Sequence, residues 1–177
     1  MKLPNNLSWL GQEAAPRHLL KAVELYGTEE IVGPKHNPVI MGWAKELGFQ
    51  SFYTSDEIPW CGLFMAIVMK RAGREIPGFP LRALSWNNFG VPVGESSAML
   101  ADVLTFSRKG GGHVGLYVGE DATAFHVLGG NQGNKVSVIR IAKERLSEVR
   151  RPAYNSMPTN IRKVHLASNG GLSQNEA

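Results

Sequence analysis

The spacing of apolar residues changes near the middle of the chain, from a helical period to short alternating runs. In "PRHLLKAVELYG", Leu19, Leu20, Val23 and Leu25 follow the helical period, Pro16 opens the segment and Gly27 closes it. "NPVIMGWAKELG" repeats the grammar, with Asn37 as N-cap, Pro38 in the first turn and Gly48 as the stop. A third helix is predicted from Glu57 or Pro59 to Ala72, ahead of Gly73. Its positions 61, 64, 65, 68, 69 and 72 read Cys, Phe, Met, Val, Met and Ala along one stripe. Leu63 and Ile67 widen that stripe, and Gly62 and Ala66 let a neighbouring backbone approach, so this is the expected central helix of the core. The Gly-, Pro-, Asn- and Ser-rich stretch that follows reads as an irregular surface segment with one helical turn around Leu81 to Asn87.

Beyond residue 100 the runs "ADVLTFS", "HVGLYVGE", "TAFHVLGG", "KVSVIRI" and "VRRPAY" are β-rich and parted by turn material. They predict an antiparallel meander of about five strands. Helices that precede strands, rather than alternate with them, argue for an α+β fold with the helices packed on one face of the sheet. The polar segment 156–177 has no sustained period. It is expected to be a partly disordered C-terminal extension to a single domain over residues 1–155.

Composition narrows the function classes. A chain of 177 residues that is 43% hydrophobic can bury a core without metal or disulfide staples. The formal charge of +4 and pI of about 9.3 favour a polyanionic partner. The densest basic patch, "KERLSEVRR", interleaves Glu144 and Glu148 and reads as a solvated helical turn leading into a final strand, which argues against nucleic acid. The N-terminus lacks an apolar run of signal-peptide length, and no run of about 18 apolar residues occurs. Synthesis in the cytoplasm, no stable membrane association and a monomer are expected. Asp56, Asp102 and Asp121 are far apart, and Cys61, His113 and His126 lack zinc-site spacing, so neither metal nor other cofactor is expected.

The candidate chemistry centres on the single cysteine, Cys61. Free cysteine is among the most buried residue types, so its position in the apolar stripe fits a core role. At the first turn of a helix, however, unpaired N–H groups and the macrodipole favour a thiolate and can bind an oxyanion. A base must then come from elsewhere in the chain. His113 opens a strand directly after the glycine turn "KGGG" and shares a strand face with Gly115 and Tyr117; His126, mid-strand, is the competitor. A third group must orient the imidazole, and the turn "LGGNQGN" offers Asn131 or Gln132. Trp60 is a candidate cleft wall, and Asp56 and Gln132 are candidate substrate contacts. Asp56 with Glu57 also reads as N-cap and first-turn acid, and Asp102 reads as a turn residue.

The ordered set "WC" on a helix, "ADVLTF", "GHVGLYVG", "VLGGNQ" with "VSV", and "VRRPAY", with "HNPVI" upstream, resembles the CHAP and NlpC-type cysteine peptidases over residues 9–154. It looks most like the single-domain, phage-type cell-wall hydrolases of that papain-like group. The resemblance implies a papain-like fold and hydrolysis of an amide bond in bacterial peptidoglycan, within the stem peptide or between peptide and sugar. It places the cysteine on Cys61, the histidine on His113 and the third polar residue on Asn131. An acid is absent from Leu128 to Gln132, where many CHAP enzymes carry glutamate. The setting implied is phage lysis or an antibacterial effector, with the protein reaching the wall through a phage pore or a secretion machine. A non-catalytic wall-binding or structural phage protein and an intracellular cysteine protease are the alternatives.

Overall fold

The computed structural model describes residues 3–174 and Glu176. Three α-helices come first: α1 (Arg17–Glu24), α2 (Pro38–Glu46) and α3 (Cys61–Arg71). Six strands follow: β1 (Val91–Val93), β2 (Val103–Arg108), β3 (Gly111–Glu120), β4 (Ala124–Gly129), β5 (Ser137–Ala142) and β6 (Leu146–Arg151). They form one antiparallel sheet in the order β1-β6-β2-β3-β4-β5. The fold is therefore α+β, as the change of period implies, with six strands where about five are expected. The added strand is β1, three residues centred on Pro92, which joins the sheet only by lying along β6. The chain also departs from a simple meander: only β2 to β5 are consecutive neighbours, and β6 returns across the sheet to pair with β2.

Helix α3 is the hub. Every residue from Cys61 to Met69 is buried, as a helix that is apolar all round requires. It packs against α1 and α2 on one side and β3 and β4 on the other. Phe64 and Trp60 pack as tilted ring pairs against Trp43 of α2 at centroid distances of 6.2 and 6.0 Å. Truncating a side chain such as Phe64 to Ala in this setting costs about 3–5 kcal/mol. Gly62 is required here, because a Cβ would meet the carbonyl oxygens of Pro80 and Leu81 at 2.5 Å.

The second face of the sheet is covered as well. Leu104, Phe106, Tyr117, Phe125 and Val127 form a smaller core there, with Val164 of the C-terminal segment packed against it. That segment is built into the fold through Leu100 N–H to Arg162 O (2.9 Å), Glu120 N–H to Val164 O (2.8 Å), Leu166 N–H to Glu120 O (2.9 Å) and Ser173 N–H to Arg140 O (2.8 Å). Over its described residues, the segment expected to be a partly disordered extension is hydrogen-bonded to the domain. Backbone pairing to Glu120 and Arg140 holds the chain without any apolar period; Asn175 and Ala177 lie outside the described residues. Among the described residues, no helix is long and apolar enough to cross a membrane.

Candidate active site

Cys61 is the first residue of α3. The preceding Trp60 makes no side-chain cap, so the first backbone N–H groups of the helix have no capping side chain. Asp56 and Glu57 lie outside the helix, which corrects their reading as cap and first-turn acid. The N–H groups of Gly62 and of Cys61 itself are directed at the Cys61 sulfur, and a third donor is the N–H of Val114 on β3. That donor is available because the β3–β4 ladder ends at the pair Leu116–Leu128, leaving the start of β3 uncovered by β4. The sulfur is thereby set against the backbone of the residue that follows His113.

His113 is enclosed, 1% exposed. Its Nε2 is 2.9 Å from Oε1 of Gln132. The orientation of that amide follows from its other contacts, since Gln132 Nε2 donates to the carbonyls of Val127 (3.2 Å) and Ser137 (2.5 Å) and so turns Oε1 towards the ring. His113 therefore carries its proton on Nε2 and leaves Nδ1 as the acceptor. Gly129 makes room for the pair: a Cβ there would lie 2.6 Å from Gln132 Oε1 and 3.1 Å from His113 Nε2. Gly130 lets the same turn close onto α3, where a Cβ would meet Phe64 and Trp60 at 2.5 and 2.7 Å.

The partner of His113 is thus Gln132, and no hydrogen bond joins Asn131 to the imidazole. Asn131 holds the left-handed backbone of the turn, at φ 57°. The side chain that comes back to the strand is one residue later. Gln132, 2% exposed and spent on three hydrogen bonds, serves the imidazole rather than a bound substrate in this arrangement.

Two further expected contacts are placed elsewhere. Trp60 is fully buried and donates Nε1–H to Glu30 Oε2 at 3.0 Å, so it is a core residue under the site and not a cleft wall. Asp56 is fully buried and accepts from the N–H groups of Asn37 (2.7 Å) and Ile31 (3.0 Å) and from His36 Nδ1 (3.0 Å). Although burial acts to raise its pKa, those donors hold it below the ordinary value. Asp56 ties down the loop ahead of α2. His126, the competing base, is held by Asp121 at 2.8 Å, which also binds Arg140 Nε at 2.8 Å, and this cluster does not include the cysteine. Asp102 accepts from Arg151 at 2.8 and 2.7 Å and from Met99 N–H at 2.9 Å, as suits a turn residue.

The cleft at Cys61 is a cavity of about 320 Å³ between Pro59 and Cys61, the loop 81–84, and Arg108 with the glycine turn 110–112. A larger groove of about 630 Å³ runs between β5 and the C-terminal segment, past His126 and Arg140, and does not reach the sulfur. Burial sets the charge state of the site. It pushes the Cys61 thiol up from its ordinary value, outweighing the three N–H groups and the nearby Arg108 charge. It also lowers His113 to about 4, against the opposing effects of Gln132 and of Glu176. At neutral pH the resting pair is a neutral thiol and a neutral imidazole, so the thiolate expected from helix position alone is overruled by desolvation. Among the described residues, no group of three or more His, Cys, Asp or Glu side chains is placed to hold a metal ion.

Position on the sequence did not disclose Arg108, which faces the cleft from the strand before the glycine turn, or Gly129, whose missing side chain admits the His113–Gln132 bond. Its only trace in the sequence is the paired glycine of "LGGNQ". No family model and no curated protein matches this chain.

Proposed function

We propose that the chain is a peptidoglycan hydrolase that cleaves an amide bond by cysteine nucleophilic catalysis on a papain-like fold. The observation that carries this reading is that the only cysteine, at an uncapped helix start, receives the N–H of Val114, the residue after a histidine whose Nε2–H is fixed by Gln132. The resemblance of the ordered motifs to CHAP and NlpC-type enzymes supplies the substrate class.

Because the pair is neutral at rest, catalysis begins with proton transfer when substrate enters. His113 Nδ1 takes the proton from the Cys61 thiol, and the thiolate attacks the amide carbonyl carbon. The N–H groups at the start of α3 stabilise the oxyanion; donors of this kind are worth about 3–4 kcal/mol each. Imidazolium gives its proton to the leaving amine as the C–N bond breaks, producing a thioester. His113 then removes a proton from water, which attacks the thioester and regenerates the thiol. Gln132 holds the ring in the required tautomer throughout without supplying negative charge.

Purified sacculi treated with the protein test the bond class. Each event is expected to liberate one amino group and one carboxylate, while reducing sugar ends stay constant. Release of reducing ends in place of amines would overturn the amide assignment. Soluble muropeptides identified by mass spectrometry then name the bond.

A further inference from the structure

We propose that Arg145 forms a carboxylate subsite of the cleft, filled in the resting protein by the chain's own Glu176 and taken in turnover by a carboxylate of an acidic stem peptide. The inference rests on the hydrolase reading of Cys61 and His113 and names the substrate chemistry that site selects.

Arg145 binds Glu176 through two parallel hydrogen bonds, Nη1 to Oε1 at 2.8 Å and Nη2 to Oε2 at 2.7 Å. This is the fork geometry by which arginine recognises a carboxylate. The glutamate side chain is only 1% exposed although it lies almost at the end of the sequence. A carboxylate has thus been brought into a shielded position beside the candidate active site, close enough that its charge acts on His113 together with those of Arg108 and Arg145.

The receptor is held to the sheet apart from its occupant. Arg145 Nε donates to Ser107 O at 3.3 Å and the Ser107 hydroxyl donates back to Arg145 O at 3.4 Å. Ser107 lies opposite Gly112 in the β2–β3 ladder, one pair from Phe106–His113. The guanidinium is therefore anchored to the strand beside the base, and the adjacent residue, Arg108, lines the cavity that contains Cys61. The segment carrying Glu176 is joined to the strands here through Ser173 N–H to Arg140 O, Arg140 to Gly170 O, Arg145 to Ser173 O and the Arg140–Leu172 bridge. Exchange of one carboxylate for another keeps the arginine paired and leaves no buried charge exposed to an apolar wall.

The test uses a soluble stem peptide with its acidic carboxylate free and the same peptide with that group as a carboxamide. Wild type is expected to cleave the free acid with a kcat/KM about tenfold or more above the amide, matching one charge-assisted pair. Arg145→Gln should abolish the preference by raising KM for the acid alone, and Glu176→Gln should lower KM for the acid alone. The double variant Arg145→Gln/Glu176→Gln, which leaves no lone buried charge, should show no preference. Equal loss on both peptides in Arg145→Gln, or an unchanged preference, would overturn the subsite. Binding of both peptides to Cys61→Ala protein by calorimetry separates the two claims. Arg145-dependent selective binding without hydrolysis by wild type would overturn the hydrolase reading and keep the subsite; hydrolysis without selectivity would do the reverse.

Discussion

His113 and Gln132 are joined by an Nε2–Oε1 hydrogen bond of 2.9 Å, and the amide that accepts it is itself clamped by the carbonyls of Val127 and Ser137. The bond decides the tautomer of the imidazole and leaves Nδ1 as the nitrogen able to take a proton.

Gln132→Ala should therefore lower kcat by about 100-fold, with KM little changed, because the ring loses its orienter but the nucleophile remains. Asn131→Gly should remain within a few-fold of wild type, since glycine accepts φ 57° without strain. Steady-state kinetics on the two variants check this, and the reverse ranking would return the orienting role to Asn131.

Gly129→Ala introduces a methyl 2.6 Å from Gln132 Oε1. The expected result is a folded protein with activity reduced to the level of Gln132→Ala. Full activity in Gly129→Ala would mean that the 2.9 Å bond is not needed in turnover.

Much of the scaffold was legible in the residues. The three helices follow from apolar spacing and from their Pro, Asn and Gly boundaries, and strands β2 to β6 from β-rich runs parted by turn material. Strand β1 was not, because Val91 to Val93 is short, contains Pro92 and becomes a strand only by lying along β6 at the sheet edge. The placement of the C-terminal segment is not legible, because it comes from backbone pairing and from pairs such as Arg145–Glu176, 31 residues apart, which no local period encodes. Cys61 and His113 are the candidates that residue type and position single out. The choice of Gln132 over Asn131 depends on a left-handed residue shifting the turn by one place. The charge state of Cys61 depends on burial that helix position does not reveal.

Alkylation of Cys61 reports that charge state directly, since the sequence has one cysteine. Burial pushes the thiol up, so its reaction with iodoacetamide should be slow at pH 7 and accelerate through the alkaline range. A fast plateau extending down towards pH 4, followed by mass spectrometry, would indicate a preformed thiolate and imidazolium instead.

Two buried histidines make the fold acid-sensitive. His113 and His18 each titrate at about 4 in the native protein against 6.5 for the free side chain, in both cases chiefly through burial. Between those values the unfolded chain binds protons that the native state does not. Stability is intact above pH 6.5 and falls as pH drops through the window, by on the order of 1.4 kcal/mol per pH unit for each histidine. Urea denaturation at pH 7 and pH 5 should show the loss, and His18→Gln, retaining a donor for Ala101 O, should remove about half of it. An undiminished loss in that variant would take His18 out of the explanation.

Asp56→Asn should act on folding rather than on substrate. It weakens three charge-assisted hydrogen bonds at a fully buried site, a cost of about 2 kcal/mol. Thermal melting should move down while KM stays at the wild-type value; a selective rise in KM would restore Asp56 as a substrate contact.

The central claim is that Cys61 and His113 together hydrolyse a peptidoglycan amide, and dye release from labelled sacculi by wild type, Cys61→Ala and His113→Ala tests it most directly. Release by wild type and its loss in both variants, each with a wild-type melting profile, is the predicted result. Release that survives Cys61→Ala would contradict it.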